Sequence, residues 1–162
     1  MTAPQASLDE DSLALVHFSL SRQGDRIYNE DASCHARDQE VVSFAVADGM
    51  GGAAGGMRAS AIAMASIRQC KLTLDLNDFS HQFVAISDAI KKEQSTRPEV
   101  ASMCTTIAEL RIDTYSQRAT WAHWGDTRVY WFRNHELRAM TKDHSVVQSL
   151  VAAGLISNEE AL

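Results

Sequence analysis

Asp48 stands where the apolar run Val41-Val42-Ser43-Phe44-Ala45-Val46-Ala47 breaks into Gly49-Met50-Gly51-Gly52-Ala53-Ala54-Gly55-Gly56. The run has the length and composition of a strand, so the carboxylate is delivered to a strand tip. The glycines that follow let backbone pass close to it. A carboxylate and backbone carbonyls converging in this way suit something small and positive. A second acidic group, Asn29-Glu30-Asp31, lies seventeen residues upstream in a polar segment, 21–31, that also carries Arg26. The residue types fit a metal site built from hard oxygen ligands. Taken singly, each has a blander reading. A strand-Asp-Gly step is most often an ordinary turn, Glu30-Asp31 a solvated loop, and Arg26 a surface charge.

Composition bounds the rest. At 162 residues one domain is expected, with 45% hydrophobic and 22% charged residues as in soluble globular proteins. The net charge of -6 and the lack of a lysine/arginine stripe argue against a nucleic-acid partner. Cys34, Cys70 and Cys104 are odd in number and never in a CxxC pair, which reads as free thiols in a reducing compartment. The polar, acidic start lacks a secretory pattern, and no stretch approaches the roughly 20 apolar residues of a membrane span. The expectation is a cytoplasmic chain with no membrane contact.

The elements that must position the acids follow from periodicity. Leu13 to Leu20 alternates, with Ala14, Val16, Phe18 and Leu20 on one apolar face, and reads as a strand. The 41–47 run is apolar on both faces, as in a strand covered on both sides. Alanine-rich Met57 to Leu72 reads as a helix. Phe79, Phe83, Ile86 and Ile90 place a second, amphipathic helix over Asp78 to Gln94, capped by Asn77 or Asp78. A loop follows around Pro98. Period two then takes over: Thr106, Ala108, Leu110 and Ile112 face one way, Glu109 and Arg111 the other. Ala119 to Trp124, Arg128 to Arg133 and Leu137 to Met140 read as three consecutive strands of an antiparallel meander. The first turn between them is Gly125-Asp126-Thr127, where Asp126 suits a turn role. Ser145 begins a short helix ended by Gly154, and Ser157-Asn158-Glu159-Glu160 is a capping box with only Ala161 and Leu162 after it. A helix that short does not hold itself, so the sequence reads as a fragment. Segregated strands and helices give the class α+β.

Arg26-Ile27-Tyr28-Asn29-Glu30-Asp31, Val46-Ala47-Asp48-Gly49-Met50-Gly51-Gly52, Gly125-Asp126-Thr127-Arg128-Val129-Tyr130 and Thr141-Lys142-Asp143-His144-Ser145 occur in that order. In these motifs, from about residue 16 onward, the chain resembles the PPM-type, metal-dependent (type 2C-like) protein serine/threonine phosphatases, particularly the bacterial branch. The resemblance implies two antiparallel β-sheets packed as a sandwich with flanking helices (α-β-β-α), incomplete at the C-terminus. Residues 13–162 would be the N-terminal two-thirds of the phosphatase domain and 1–12 a flexible tail. It implies two Mn²⁺ or Mg²⁺ ions and a third held weakly. By this analogy Asp48 bridges both metals, the Gly49 carbonyl and Glu30 serve one of them, and Asp126 helps hold the third. Arg26 pairs with the substrate phosphate and Asp31 orients the attacking water. The implied activity is hydrolysis of phosphoserine and phosphothreonine in proteins, including those phosphorylated by a Ser/Thr kinase. Two such metals polarise a phosphoryl group and acidify water near neutral pH.

The sequence departs from the bacterial pattern at Ala53, where a histidine is usual, at Met57, where a glutamate is usual, and at Cys104, where a glycine is commoner. Two further aspartates that complete the family's metal site are not in the sequence. The expectation is therefore weak turnover, or none, by this chain alone. The alternative is a catalytically impaired phosphatase-like binding or regulatory module. A third reading, a phosphate-binding glycine loop opening the Met57 helix, is disfavoured because no GK[ST] follows the glycines and GxGxxG is absent.

Overall fold

The computed structural model describes residues 14–144. Its frame is a four-stranded antiparallel sheet in the order β1 (Ala32–Asp38), β2 (Val41–Ala47), β5 (Ile107–Asp113) and β6 (Arg118–Trp124). Two short strands, β3 (Gly49–Met50) and β4 (Cys104–Thr105), pair beyond the ends of β2 and β5. Helices α1 (Ala53–Gln69) and α2 (Leu76–Thr96) lie on one face of the sheet. A hairpin of β7 (Tyr130–Arg133) and β8 (Glu136–Met140) forms its own two-stranded sheet. Trp131 of the hairpin meets Trp121 of β6 with ring centroids 6.4 Å apart. Trp121 is the cross-strand partner of Leu110 and belongs to the face away from the helices. The class is α+β with antiparallel sheets, layered helix, sheet, sheet.

Small residues set the spacing of the core. Cys34, Ala45 and Ala47 on the sheet meet Ala59, Ala63, Met64 and Ile67 of α1 and Phe79, Phe83, Ile86 and Ile90 of α2. The four-three-four spacing in α2 therefore buries the face the sequence assigns to it. Its N-cap is Asp75, whose carboxylate accepts from the Asn77 N–H at 2.9 Å, not Asn77 or Asp78. The segment around Pro98 closes as one 3-10 turn, Pro98–Val100.

The second surprise is polar. Glu109 and Arg111 do face opposite Leu110, but that face is the one under the helices, and both side chains are fully buried. Arg111 Nε donates to Glu109 Oε1 at 2.7 Å, and Ser43 Oγ donates to the same oxygen at 2.8 Å. The guanidinium also donates to the Thr73 carbonyl at 3.1 Å and to Gln82 Oε1, and it lies 3.9 Å from the Phe79 ring centroid. One arginine thus ties β2, β5 and α2 together.

Several sequence expectations shift. Residues 14–20 run beside β1 without strand pairing: Ser19 and Ser33 hydroxyls are 3.1 Å apart and the His17 ring sits 4.9 Å from His35, yet Val16, Phe18 and Leu20 are exposed. The β1 strand, by contrast, has no strong apolar pattern, because Ala32, Cys34 and Ala36 on its inner side are small. β2 is well covered on the helix side, but Val46 on the other side is 46% exposed. The three-strand meander is broken, since β6 pairs with β5 and the chain crosses to another layer before β7. The proposed elements at Ser145 and Ser157 lie outside the described residues.

Helix α1 starts four residues earlier than its alanines suggest, so Gly55 and Gly56 are helical. A Cβ on Gly56 would lie 2.7 Å from the Glu30 carboxyl carbon and 2.8 Å from the Gly49 carbonyl. Helix propensity alone favours Gly56→Ala by about 1 kcal/mol. The contact outweighs it, and thermal unfolding should show the variant destabilised, by about 1–3 kcal/mol in all. A stabilised variant would mean the glycine is not there for close approach. Arg111→Met should cost about 3–5 kcal/mol in urea unfolding, because Glu109 is left as an uncompensated buried charge. The Arg111→Met, Glu109→Leu double variant should recover most of that loss; equal losses in the two would contradict the account.

Candidate metal and phosphate site

The end of β2 is held by its neighbours' backbone and hydroxyls. The Asp48 carbonyl accepts from the Thr106 N–H at 2.9 Å and from Thr105 Oγ1 at 2.9 Å, while the Asp48 N–H donates to Thr106 Oγ1 at 3.3 Å. With its main chain fully engaged, Asp48 can only project its carboxylate outward, and the residue is exposed. Gly49 is buried because no larger residue fits: a Cβ there would sit 2.1 Å from the Gly56 carbonyl oxygen and 2.6 Å from that of Glu30. Glu30, Gly49 and Gly56 therefore converge. Ser60 Oγ of α1 adds a 2.7 Å bond to the Glu30 carbonyl.

Asp31 follows in a local turn, its N–H donating to Asn29 Oδ1 at 3.1 Å, and Asn29 in turn donates to Ser21 Oγ at 2.7 Å. This aims the Asp31 carboxyl at that of Asp48, to which it hydrogen-bonds. Partial burial, the negative charges of Asp31 and Asp126, and that hydrogen bond all push the Asp48 carboxyl above the usual carboxylate range, and Arg26 opposes them. The crowd of acids is thus only partly neutralised by the chain itself. Asp48 and Asp31 border one depression together with Thr127. Arg26 and Glu30 border a neighbouring, shallow one of about 490 Å³ with Ile27, Tyr28, Met50 and Gly51.

Asp126 reaches the cluster through a braced turn. Gly125, at φ 98°, packs so tightly on Thr106 that a Cβ would come within 2.6 Å of its methyl. Thr127 and Thr106 hydroxyls bond to each other, and the His144 N–H donates to the Gly125 carbonyl at 2.9 Å. Arg128 grips Asp143 with two bonds of 2.6 Å, an ion pair that holds the Asp143 carboxyl below its ordinary range. The threonines and the Arg128–Asp143 pair are the positioning residues that periodicity missed. Only the sequence neighbours of Asp48 and Asp126, and the Thr-Lys-Asp-His motif, hinted at them.

All six residues singled out in the sequence thus lie on one edge of the fold, Arg26 and Glu30 on one side and Asp31, Asp48 and Asp126 on the other, with Gly49 beside Glu30. Among the described residues no three Asp, Glu, His or Cys side chains are grouped closely enough to hold a metal ion by themselves. The donor set near Asp48 is carboxylate and carbonyl oxygen throughout. Met57 is exposed on α1, and Cys104 is exposed in β4 opposite Met50. An apolar cavity of about 240 Å³ between α2 and β4–β6, lined by Phe83, Ile86, Met103 and Trp124, carries no acid or histidine. Among the described residues no helix is long and apolar enough to cross a membrane.

Comparison with known proteins agrees with this arrangement. Residues 20–159 match the family described as protein phosphatase 2C. The serine/threonine protein phosphatase PstP of Mycobacterium tuberculosis is 34% identical over 158 residues, covering 93% of this chain and 29% of PstP. The serine/threonine phosphatase stp of Listeria monocytogenes is 31% identical over 157 residues, covering 91% of this chain and 61% of stp. The crystal structure of the PstP catalytic domain in complex with two manganese ions superposes with a TM-score of 0.69 at 33% identity, over 84% of this chain and 58% of that one. The chain spans less than two-thirds of the length of these relatives. On its sequence and its fold, the chain belongs to the protein phosphatase 2C family.

Proposed function

We propose that the chain is part of a metal-dependent protein serine/threonine phosphatase, and that its acidic edge holds Mn²⁺ or Mg²⁺. The observation that carries this is the Asp31–Asp48 pair. Asp31 and Asp48 border one depression at the strand tip with Asp126 close enough to act on Asp48, a crowd of acids that a cation would relieve. Divalent ions of this kind are commonly held by one or two carboxylates and completed by water and phosphate oxygens, so the residues present fit. Asp48 would serve both ions, the Gly49 carbonyl and Glu30 would serve one of them, and Asp126 would help hold a third, weaker ion. When bound, such ions neutralise the phosphoryl oxygens and make water nucleophilic near neutral pH.

The chain's own groups do the rest. Arg26 presents a planar fork to two oxygens of the phosphate. Asp31, placed beside Asp48, would present a carboxylate oxygen as the acceptor that orients the attacking water. Thr105 and Thr106 fix the Asp48 backbone, so the carboxylate does not reorganise during the reaction. PstP, stp and other relatives are described as serine/threonine phosphatases, which supports phosphorylated proteins as the substrate class. Phosphoproteins made by a cytoplasmic Ser/Thr kinase are the substrates this reading favours. The second reading, a non-catalytic phosphatase-like module, gains support from Met57 and from the lack of a three-side-chain metal cage among the described residues.

The test is Mn²⁺ binding by calorimetry beside Mn²⁺-dependent hydrolysis of an aryl phosphate, with Asp48→Asn as control. The substitution should weaken both by about 100-fold or more, since even groups one step removed from a metal typically cost 10–100-fold. Mn²⁺ binding that depends on Asp48 without any turnover would mean a half-built metal site in a chain that spans only part of the domain. No Asp48-dependent binding at all would sink the metal reading.

A further inference from the structure

The depression beside Arg26 carries a feature that phosphate chemistry alone does not use. Ile27 is 82% exposed, Met50 is 45% exposed and Tyr28 is 49% exposed, and all three border the same hollow as Arg26 and Glu30. An isolated exposed apolar residue is normal, but three together on the rim of a polar site form a patch. The turn that presents them is fixed rather than loose. Gly24 takes φ 62°, and the Gln23 side-chain amide donates to the carbonyls of Arg26 at 2.6 Å and Ile27 at 2.8 Å. On the opposite rim, Met50 is held in the β3–β4 pairing opposite Cys104, and Gly51 behind it packs against Met103. A fixed apolar rim next to an arginine is pre-organised for a ligand with an anion at one point and an apolar group close by.

Resting on the phosphatase reading, we propose that Ile27, Tyr28 and Met50 form a specificity subsite that takes a bulky apolar side chain adjacent to the phosphorylated residue of a substrate segment. The anion is set by Arg26, and the flanking side chain is desolvated between Ile27 and Met50. Phosphopeptides with leucine, isoleucine or phenylalanine next to the phosphoresidue are preferred over those with glycine there.

The test uses two fluorescent peptides that are identical except for leucine or glycine beside a hydrolysis-resistant phosphonate analogue of phosphothreonine. Their binding to the Mn²⁺-supplied chain is read by anisotropy, and aryl phosphate turnover is measured in parallel. The leucine peptide should bind about tenfold more tightly, the effect of burying one aliphatic side chain in part. The Ile27→Ala, Met50→Ala double variant should bring the two peptides to within about twofold, with Mn²⁺ binding unchanged and the far-UV spectrum native. Equal affinities for the native chain, or a preference that survives the double variant, overturn the subsite. If aryl phosphate is hydrolysed but neither peptide binds, the subsite falls and the phosphatase reading stands. If Mn²⁺ shows no Asp48-dependent binding and neither peptide binds, it is the phosphatase reading that has failed, and the subsite with it.

Discussion

The antiparallel pairing of β2 with β5 places Val46 opposite Ala108, and from that register the site follows. Two residues beyond each end of that pair, Asp48 and Thr106 face each other and their main chains lock together. A slip of one residue would turn the Asp48 carboxylate toward the helices and send Thr106 away from Thr127. The same register lays Ser43 opposite Arg111 and Ala45 opposite Glu109, so the helix face carries the ion pair exactly where α2 can complete it. Because the buried pair is intolerant of a shift, it acts as a register pin for the sheet whose edge bears the acids. Stability in the interior and geometry at the surface are therefore one constraint.

Close approach is the second determinant. Gly49, Gly56 and Gly125 are each within contact of backbone or a threonine methyl that a side chain would strike. Together they let the start of α1, the Glu30 segment and the 125–128 turn collapse on the tip of β2. A glycine in a helix interior is unfavourable by about 1 kcal/mol relative to alanine, so Gly55 and Gly56 weaken α1 locally. What is gained is proximity, with the Glu30 carboxyl carbon and the Gly49 carbonyl against the same α-carbon. The fold gives up helix propensity to place oxygen atoms.

The parts of this structure that sequence reveals are those where one physical signal dominates. The uninterrupted 41–47 run and the Phe79, Phe83, Ile86, Ile90 face are strong patterns, and both elements form where expected. β1 is hidden because its inward residues are alanine and cysteine, small enough to admit the Glu109 side chain across Ala45 but too weak to give an apolar rhythm. The 14–20 alternation is the opposite case: a clear pattern with no ladder among the described residues. The carboxylates could be picked out only as members of a set of motifs, because a strand-Asp-Gly step alone is most often an ordinary turn. The threonine hydroxyls could not, since Thr105, Thr106 and Thr127 are ordinary strand and turn residues until their partners are known. Nor does any periodicity place Asp126 beside Asp48; the chain must first cross from β6 toward the second layer.

Two charged clusters on one sheet resolve their electrostatics in opposite ways, and the difference separates structure from function. Glu109 sits in the interior with Arg111 bonded to one of its oxygens, and its charge is balanced within the chain. The pair is enclosed in the core, although Glu109 Oε2 and Gln82 Nε2 are buried there without a hydrogen-bond partner among the described residues, and its removal is felt as lost stability. Asp31, Asp48 and Asp126 stand at the surface with one arginine among three acids, and Asp48 is raised by its partial burial and then by the two neighbouring acids. Solvent access makes that imbalance tolerable, whereas burial would not. An exposed, rigidly held and under-neutralised group of oxygens is suited to gaining a cation, because a bound ion relieves repulsion that the fold itself leaves in place. Rigidity matters as much as charge: a flexible loop would spread the three carboxylates apart and remove both the repulsion and the affinity. Here Thr106 holds Asp48 and Thr127, Asn29 orients Asp31, and the Arg128–Asp143 clasp fixes the turn of Asp126, so the repulsion persists in the folded chain.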